Sequence, residues 1–196
     1  ANITHLLESV CSQKLKNCSI TEVIVVSSAS TDSTDSLVRR YAEENPLIRL
    51  ITQEKREGKS SAINLFIHEA ISDILAVISG DVILAPDTIE KLVSPLMDAT
   101  IGATGGKPMP VNKQNTFMGY AVHLFWRLHH RMALISPKLG EMIVFRKVMD
   151  CIPAESAVDE ASIEALIRDA GLSLLYVPDA IIHNKGPENL RDYIKQ

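Results

Sequence analysis

The stretch Ile74-Leu75-Ala76-Val77-Ile78-Ser79-Gly80-Asp81 decides how this chain is read. Its first five residues are apolar and read as a short buried strand. Gly80 permits close approach of the backbone, and Asp81 then stands at the strand's carboxyl end. Ligands bind at that edge in open α/β sheets. A carboxylate there commonly holds a divalent cation against phosphate oxygens.

Working outward, apolar β-rich runs alternate with helical patterns. Val23-Ile24-Val25-Val26 reads as a strand, and 35–44 as a helix with Leu37, Val38 and Tyr41 on one face. A strand is expected over 47–51 and a helix over 60–70, with Ile63, Phe66, Ile67 and Ala70 inward. A further helix is expected over 86–97, where Pro86 suits the first turn. This rhythm predicts an α/β fold with a mostly parallel central sheet flanked by helices. Beyond it, 102–110 reads as a strand leading into a loop, 117–134 as a long helix and 142–145 as a strand. A helix over 162–170 is closed by Gly171, which suits a left-handed cap. Short strands over 174–177 and 180–182 flank Pro178-Asp179.

At 196 residues the chain is expected to form one domain with a substantial core. The net charge of −4 argues against a protein that holds nucleic acid through a general basic field. No run of 18 apolar residues is present, as a membrane-crossing helix would need. Three cysteines without metal-ligand spacing read as small buried apolar residues in a reducing compartment, so a cytoplasmic location is expected. Both ends read as cut: the start lies inside a helical pattern with no strand before it, and the end inside a polar amphipathic segment. A piece of a longer chain is expected.

Four segments carry chemistry. They are Glu22-Val23-Ile24-Val25-Val26-Ser27-Ser28-Ala29-Ser30-Thr31-Asp32-Ser33-Thr34, then Glu57-Gly58-Lys59-Ser60-Ser61-Ala62-Ile63-Asn64, then Ser79-Gly80-Asp81, and finally Val158-Asp159-Glu160 ahead of Gly171. Their order and spacing resemble the family 2 glycosyltransferases, which have the GT-A nucleotide-sugar fold. The resemblance covers nearly the whole chain, and it implies a nucleotide-binding half over 1–100 and an acceptor-side half over 101–196. It implies an inverting enzyme that moves a sugar from a nucleotide-diphosphate sugar to an acceptor hydroxyl on a glycan or lipid-linked molecule, with Mg²⁺ or Mn²⁺, and a place at the cytoplasmic face of a membrane through segments outside this chain.

The same resemblance implies residue roles. Ser27, Ser28, Ser30, Asp32, Lys59, Asn64 and Gly80 would bind the nucleotide sugar. Ser27-Ser28-Ala29 stands where the family carries acidic residues and a glycine, so Ser28 would reach the base edge without charge. Lys59, at a helix start, would offset diphosphate charge. Asp81 would hold the metal as the one remaining carboxylate of an Asp-x-Asp pattern, with His183 as an extra ligand. Glu160 takes the place of the base that receives the acceptor proton. The order of the two acids is swapped relative to the family, so Asp159 is the alternative base. Each residue also has a plainer reading. Ser30, Thr31 and Asp32 suit a helix cap, Lys59 a solvated loop, Asp81 a turn, His183 a structural site, and Asp159-Glu160 the first turn of a helix.

Three more features bear on function. Gly140-Glu141-Met142-Ile143-Val144-Phe145-Arg146 resembles the strand that builds the acceptor pocket. From Pro187 the chain resembles the approach to a Gln-x-x-Arg-Trp motif, which would begin at Gln196. The family's first strand, central in its sheet, is absent, which should cost stability. Within 117–131, Phe117, Tyr120, Phe125 and Trp126 precede Arg127, His129, His130 and Arg131. This helix reads first as a core element with a basic exposed end, and second as a membrane-surface element. Two other functions stay open: a degenerate, non-catalytic GT-A domain that binds a nucleotide or partner, and a sugar-nucleotidyltransferase.

Overall fold

The computed structural model describes residues 2–153 and 159–189. Val158 and the segment from Leu190 to Gln196, where the Gln-x-x-Arg-Trp motif would begin, lie outside the described residues. The elements in chain order are α1 (Ile3–Cys11), β1 (Val23–Ser28), α2 (Thr34–Glu44), β2 (Ile48–Gln53), α3 (Lys59–Glu69), β3 (Ile74–Ile78) and β4 (Ile83–Leu84). There follow α4 (Thr88–Val93), β5 (Ile101–Pro110), α5 (Phe117–Ile135), β6 (Met142–Arg146), α6 (Asp159–Asp169) and β7 (Ser173–Asn184).

The expected α/β class with a central sheet flanked by helices holds, and the sheet admits two strands that run against the others. β1 and β2 form a parallel pair of their own. The other sheet has five strands in the order β3-β6-β5-β7-β4. Within it β5 pairs in parallel with β7, while β6 is antiparallel to both β3 and β5, and β4 to β7, so β3, β5 and β7 share one direction and β6 and β4 run against it. Alternating strand and helix patterns predict crossovers but not direction. The chain leaves β5, crosses α5, and returns as a central antiparallel strand.

That central strand explains the core. Side chains alternate across a strand, so Met142 and Val144 enter one apolar cluster with Leu7, Val38 and Leu92. Ile143 and Phe145 enter the opposite one with Ile67, Ile163 and Ile167. Helices thus cover both faces of β6, and each of these four side chains is at most 1% exposed.

β1 and β3 face one another without a ladder between them. Among the described residues β1 pairs only with β2, and β3 only with β6. A cleft of about 840 Å³ lies between, walled by Val23, Val25, Ile74 and Ala76 and by Ile3 and Leu7 of α1. The resemblance implies a strand ahead of α1; no described strand fills this gap. β1 is accordingly half-buried apart from Ser27, despite its run of valine and isoleucine.

Other boundaries differ for local reasons. The helix expected over 86–97 begins at Thr88, and its end tightens into a 3₁₀ turn at Ser94–Met97 that contains Pro95. Pro86 sits in the preceding turn. Proline lacks the N–H that an α-helix interior uses. The two strands expected around Pro178-Asp179 are one strand, β7. Its pairing with β5 jumps from Gly106–Val177 to Lys107–Ile181, which leaves Pro178-Asp179-Ala180 outside the register. α6 ends as expected, with Gly171 at φ +77° and Leu172 N–H donating back to Ile167 at 3.2 Å.

Two expectations about burial are overturned. Cys11 and Cys151 are exposed and Cys18 is half-buried, so the cysteines are not core residues. α5 is not a core helix: its apolar positions Phe117, Phe125, Met132 and Ile135 face outward, and Gly119 and Ala133 are its buried positions. Periodicity locates an apolar face but does not supply a partner for it.

Candidate active site

The loop after β1 shows why its sequence departs from a glycine pattern at some cost. Ala29 has φ +51°, in the left-handed region that L-residues avoid. This turn lets Ser27 Oγ donate to Ser30 Oγ at 3.0 Å and brings Ser28 Oγ to the Glu57 N–H at 3.3 Å. Asp32 Oδ1 accepts from the Thr34 N–H at 3.0 Å, and the Thr34 hydroxyl, then this N–H, hold its carboxyl below the usual range. Asp32 therefore does cap the start of α2. Ser27, Ser28, Ser30, Asp32 and Gly80 also border the apolar cleft between β1 and β3.

The second and fourth segments meet. Gly58, at φ +89°, turns the chain into α3 and presents Lys59 and Ser60 at its first turn. α6 begins with Asp159 and Glu160, as carboxylates favour a helix start. Lys59 Nζ lies 2.5 Å from Glu160 Oε1 and 3.8 Å from Asp159 Oδ2. Ser60 Oγ donates to Asp159 Oδ1 at 2.5 Å. Asp159 is buried, whereas Glu160 keeps part of its surface.

These acids share a shallow depression with the third segment. Ser79, Gly140, Glu141, Asp159 and Glu160 line it over Val77 and Ile143. The Ser79 N–H donates to the Glu141 carbonyl at 3.0 Å. Glu141 Oε1 accepts from Asn184 Nδ2 at 2.9 Å, which ties the end of β7 to the same place. Asn184 Oδ1 is buried without a hydrogen-bond partner. Ser60, Glu141 and Asn184 carry no role in the sequence reading. The first two lie inside quoted motifs, so their signal was present; the third has none that spacing reveals.

Asn64 is engaged elsewhere. Its Nδ2 donates to the Ile152 carbonyl at 2.9 Å, and its Oδ1 accepts the Ile152 N–H at 2.7 Å. This two-point clamp fixes the chain that approaches α6. Arg146 is structural: its guanidinium donates to the carbonyls of Leu96, Ile101 and Asp98 beside α4.

Asp81 is exposed in the turn after β3, and its backbone carbonyl accepts from Asn2 Nδ2 at 2.7 Å. Among the described residues its carboxylate has no hydrogen-bond or ion-pair partner. His183 pairs with Ile83 across the β4–β7 ladder, so the two residues come from neighbouring ends of adjacent strands. No group of three His, Cys, Asp or Glu side chains is placed to hold a metal among the described residues. Mg²⁺ and Mn²⁺ take hard oxygen donors, and Mg²⁺ often rests on one or two carboxylates with substrate phosphates and water completing its shell. The free, exposed carboxylate of Asp81 fits that use.

Comparison with known proteins places the chain's family and fold. The sequence profile of glycosyl transferase family 2 matches residues 1–167. An N-acetylglucosaminyltransferase of Bradyrhizobium diazoefficiens is 25% identical over 99% of this chain and 44% of its own length. A dolichyl-phosphate beta-glucosyltransferase of Trichomonas vaginalis is 28% identical over 53% of this chain and 28% of its own. The chain thus spans less than half the length of these two relatives. The structure of the mannosyltransferase PcManGT from Pyrobaculum calidifontis, in complex with GDP-Man and Mn²⁺, is similar at TM-score 0.75 and 26% identity. That match covers 96% of this chain and 54% of the mannosyltransferase. GalNAc-T7, solved with UDP, GalNAc and Mn²⁺, shares the fold at TM-score 0.69. A profile match across most of the chain, carried on a GT-A fold, establishes that this chain belongs to glycosyl transferase family 2.

Proposed function

We propose that this chain is the transferase domain of an inverting glycosyltransferase that uses a nucleotide-diphosphate sugar and delivers the sugar to a hydroxyl of a glycan or lipid-linked acceptor. The observation that carries the reading is the meeting of Lys59 with Glu160 beside the Ser79-Gly80-Asp81 edge. Glu160, partly exposed, takes the acceptor hydroxyl's proton as that oxygen bonds to the anomeric carbon. The bond from that carbon to the diphosphate oxygen breaks on the opposite side, and the diphosphate leaves with the electron pair. Asp159, buried and held by Ser60, positions the start of α6. Lys59 sits where it could exchange its carboxylate partners for diphosphate oxygens. A divalent cation held by Asp81, with His183 nearby, would supply charge that stabilises the leaving group. Ser28, Ser30 and Asp32 would meet the nucleotide, and Asn64 serves through the clamp on Ile152.

Calorimetric titration with UDP and GDP, with and without Mn²⁺, tests the reading together with a sugar-transfer assay. Metal-dependent binding that disappears in Asp81→Ala, with turnover lost in Glu160→Gln, is the expected result. Binding without turnover would favour the non-catalytic domain, for which the replacement of a metal-site carboxylate by Ser79 speaks. No binding of either nucleotide would overturn both.

A further inference from the structure

α5 carries an apolar stripe along its whole length that nothing described covers. At 1.5 Å per residue its 19 residues span about 28 Å. Phe117, Leu124, Phe125, Leu128, Met132 and Ile135 recur at the spacing of one helical face, and all are exposed, Phe117 by 82% and Ile135 by 89%.

The other side of the helix explains the orientation. His129 meets the Tyr176 ring of β7 edge to face at 6.4 Å, and His130 Nδ1 lies 2.9 Å from the Tyr176 hydroxyl. These contacts bind α5 to the sheet and force the stripe outward. Thr116 Oγ1 caps the helix by accepting the Gly119 N–H at 3.0 Å, so the exposed face begins on an ordered first turn.

The charge beside the stripe selects its partner. Residues 117–135 contain Arg127 and Arg131 but no Asp or Glu. Both arginines are exposed, and by helical spacing they lie along one flank of the stripe. The chain as a whole carries −4, so the absence of any acidic residue beside these two arginines gives the helix a local charge opposite to the overall balance. An apolar face with aromatic residues and a basic flank is the arrangement of a helix that lies in the headgroup plane. No described helix is long and apolar enough to cross a bilayer, so the contact is parallel to the surface.

We infer that the exposed face of α5 docks on an anionic lipid surface, with Phe117, Phe125, Leu128 and Ile135 in the acyl boundary and Arg127 and Arg131 against phosphate headgroups. The docking does not depend on the transfer reaction. It would be measured by co-sedimentation of the 196-residue chain with vesicles of phosphatidylcholine alone or with about one third phosphatidylglycerol. The expected result is binding to the anionic vesicles that weakens with salt, and that falls roughly tenfold or more in Leu128→Glu/Ile135→Glu. Arg127→Glu/Arg131→Glu should lose the preference for phosphatidylglycerol. These side chains are exposed, so circular dichroism should show both variants folded. Equal affinity for the two vesicle types, no binding, or unchanged binding by the stripe variant would overturn the proposal. So would light scattering that shows the stripe variant dissolving a dimer, since the face would then belong to a second copy.

Discussion

Lys59 and Glu160 lie 101 residues apart in sequence and 2.5 Å apart in space. Their contact closes the distance between the start of α3 and the start of α6. Two helix starts facing one another also converge two positive dipole ends on one place. Lys59 and the acidic pair are thus assembled at a point suited to holding anionic groups.

Removing the lysine should separate function from stability. Half of the Lys59 side chain is exposed, so the pair contributes no more than about 1 kcal/mol to folding. Lys59→Met is expected to unfold within that margin of the parent in urea. Under the proposed reaction it should lose roughly tenfold or more in kcat/KM, and Glu160→Gln roughly a hundredfold or more in kcat. A transfer assay beside denaturation curves checks both.

The Asn64 clamp should behave in the opposite way. Asn64→Leu leaves the N–H and C=O of buried Ile152 without their partner, which costs about 1–3 kcal/mol. Nucleotide affinity in the folded variant should change little, because both polar ends of Asn64 are spent on the chain. A large loss of nucleotide affinity with unchanged stability would make Asn64 a ligand contact instead.

Ala29 offers a gain. Its positive φ costs an L-residue about 1–2 kcal/mol; glycine removes that cost, and its freer unfolded state offsets part of the gain. Ala29→Gly should therefore raise stability by up to about 1 kcal/mol. A thermal melt that moves downward would show that the methyl group is used.

Acid should loosen the link between α4 and the segment after α1. The Glu90 carboxylate accepts the N–H groups of Lys16 and Asn17, the Asn17 side chain and the Cys18 thiol. These bonds, the Lys16 N–H first, hold its pKa at about 2, below the ordinary 4.5. A depressed folded-state value means the contribution is complete above about pH 4.5 and is lost as pH falls toward 2. Stability measured across that window should fall more steeply in the parent than in Glu90→Gln. The partner thiol moves the other way: burial, then Glu90, pushes Cys18 up to about 11, so it should alkylate more slowly at pH 8 than exposed Cys11.

The local signals in this chain were legible because they act within a few residues. Ile74–Ile78 forms the strand that its apolar run predicts, Gly171 adopts the φ of a helix cap, and Asp159-Glu160 opens a helix as acidic residues favour. Asp81 consequently stands at a strand end without reference to the rest of the molecule. Pairing was not legible. An apolar strand sequence is compatible with a neighbour in either direction, so the antiparallel placement of β6 and the open gap between β1 and β3 emerge only on assembly. The side chain of Asn64 reads as a ligand group in its motif and becomes a clamp only because Ile152 arrives beside it. Sequence alone therefore determined the elements, the family resemblance and the candidate groups, through turn chemistry and periodicity. Tertiary structure decided which groups meet, as Lys59 and Glu160 do, and which faces stay open, as that of α5 does, because both depend on contacts between residues far apart along the chain.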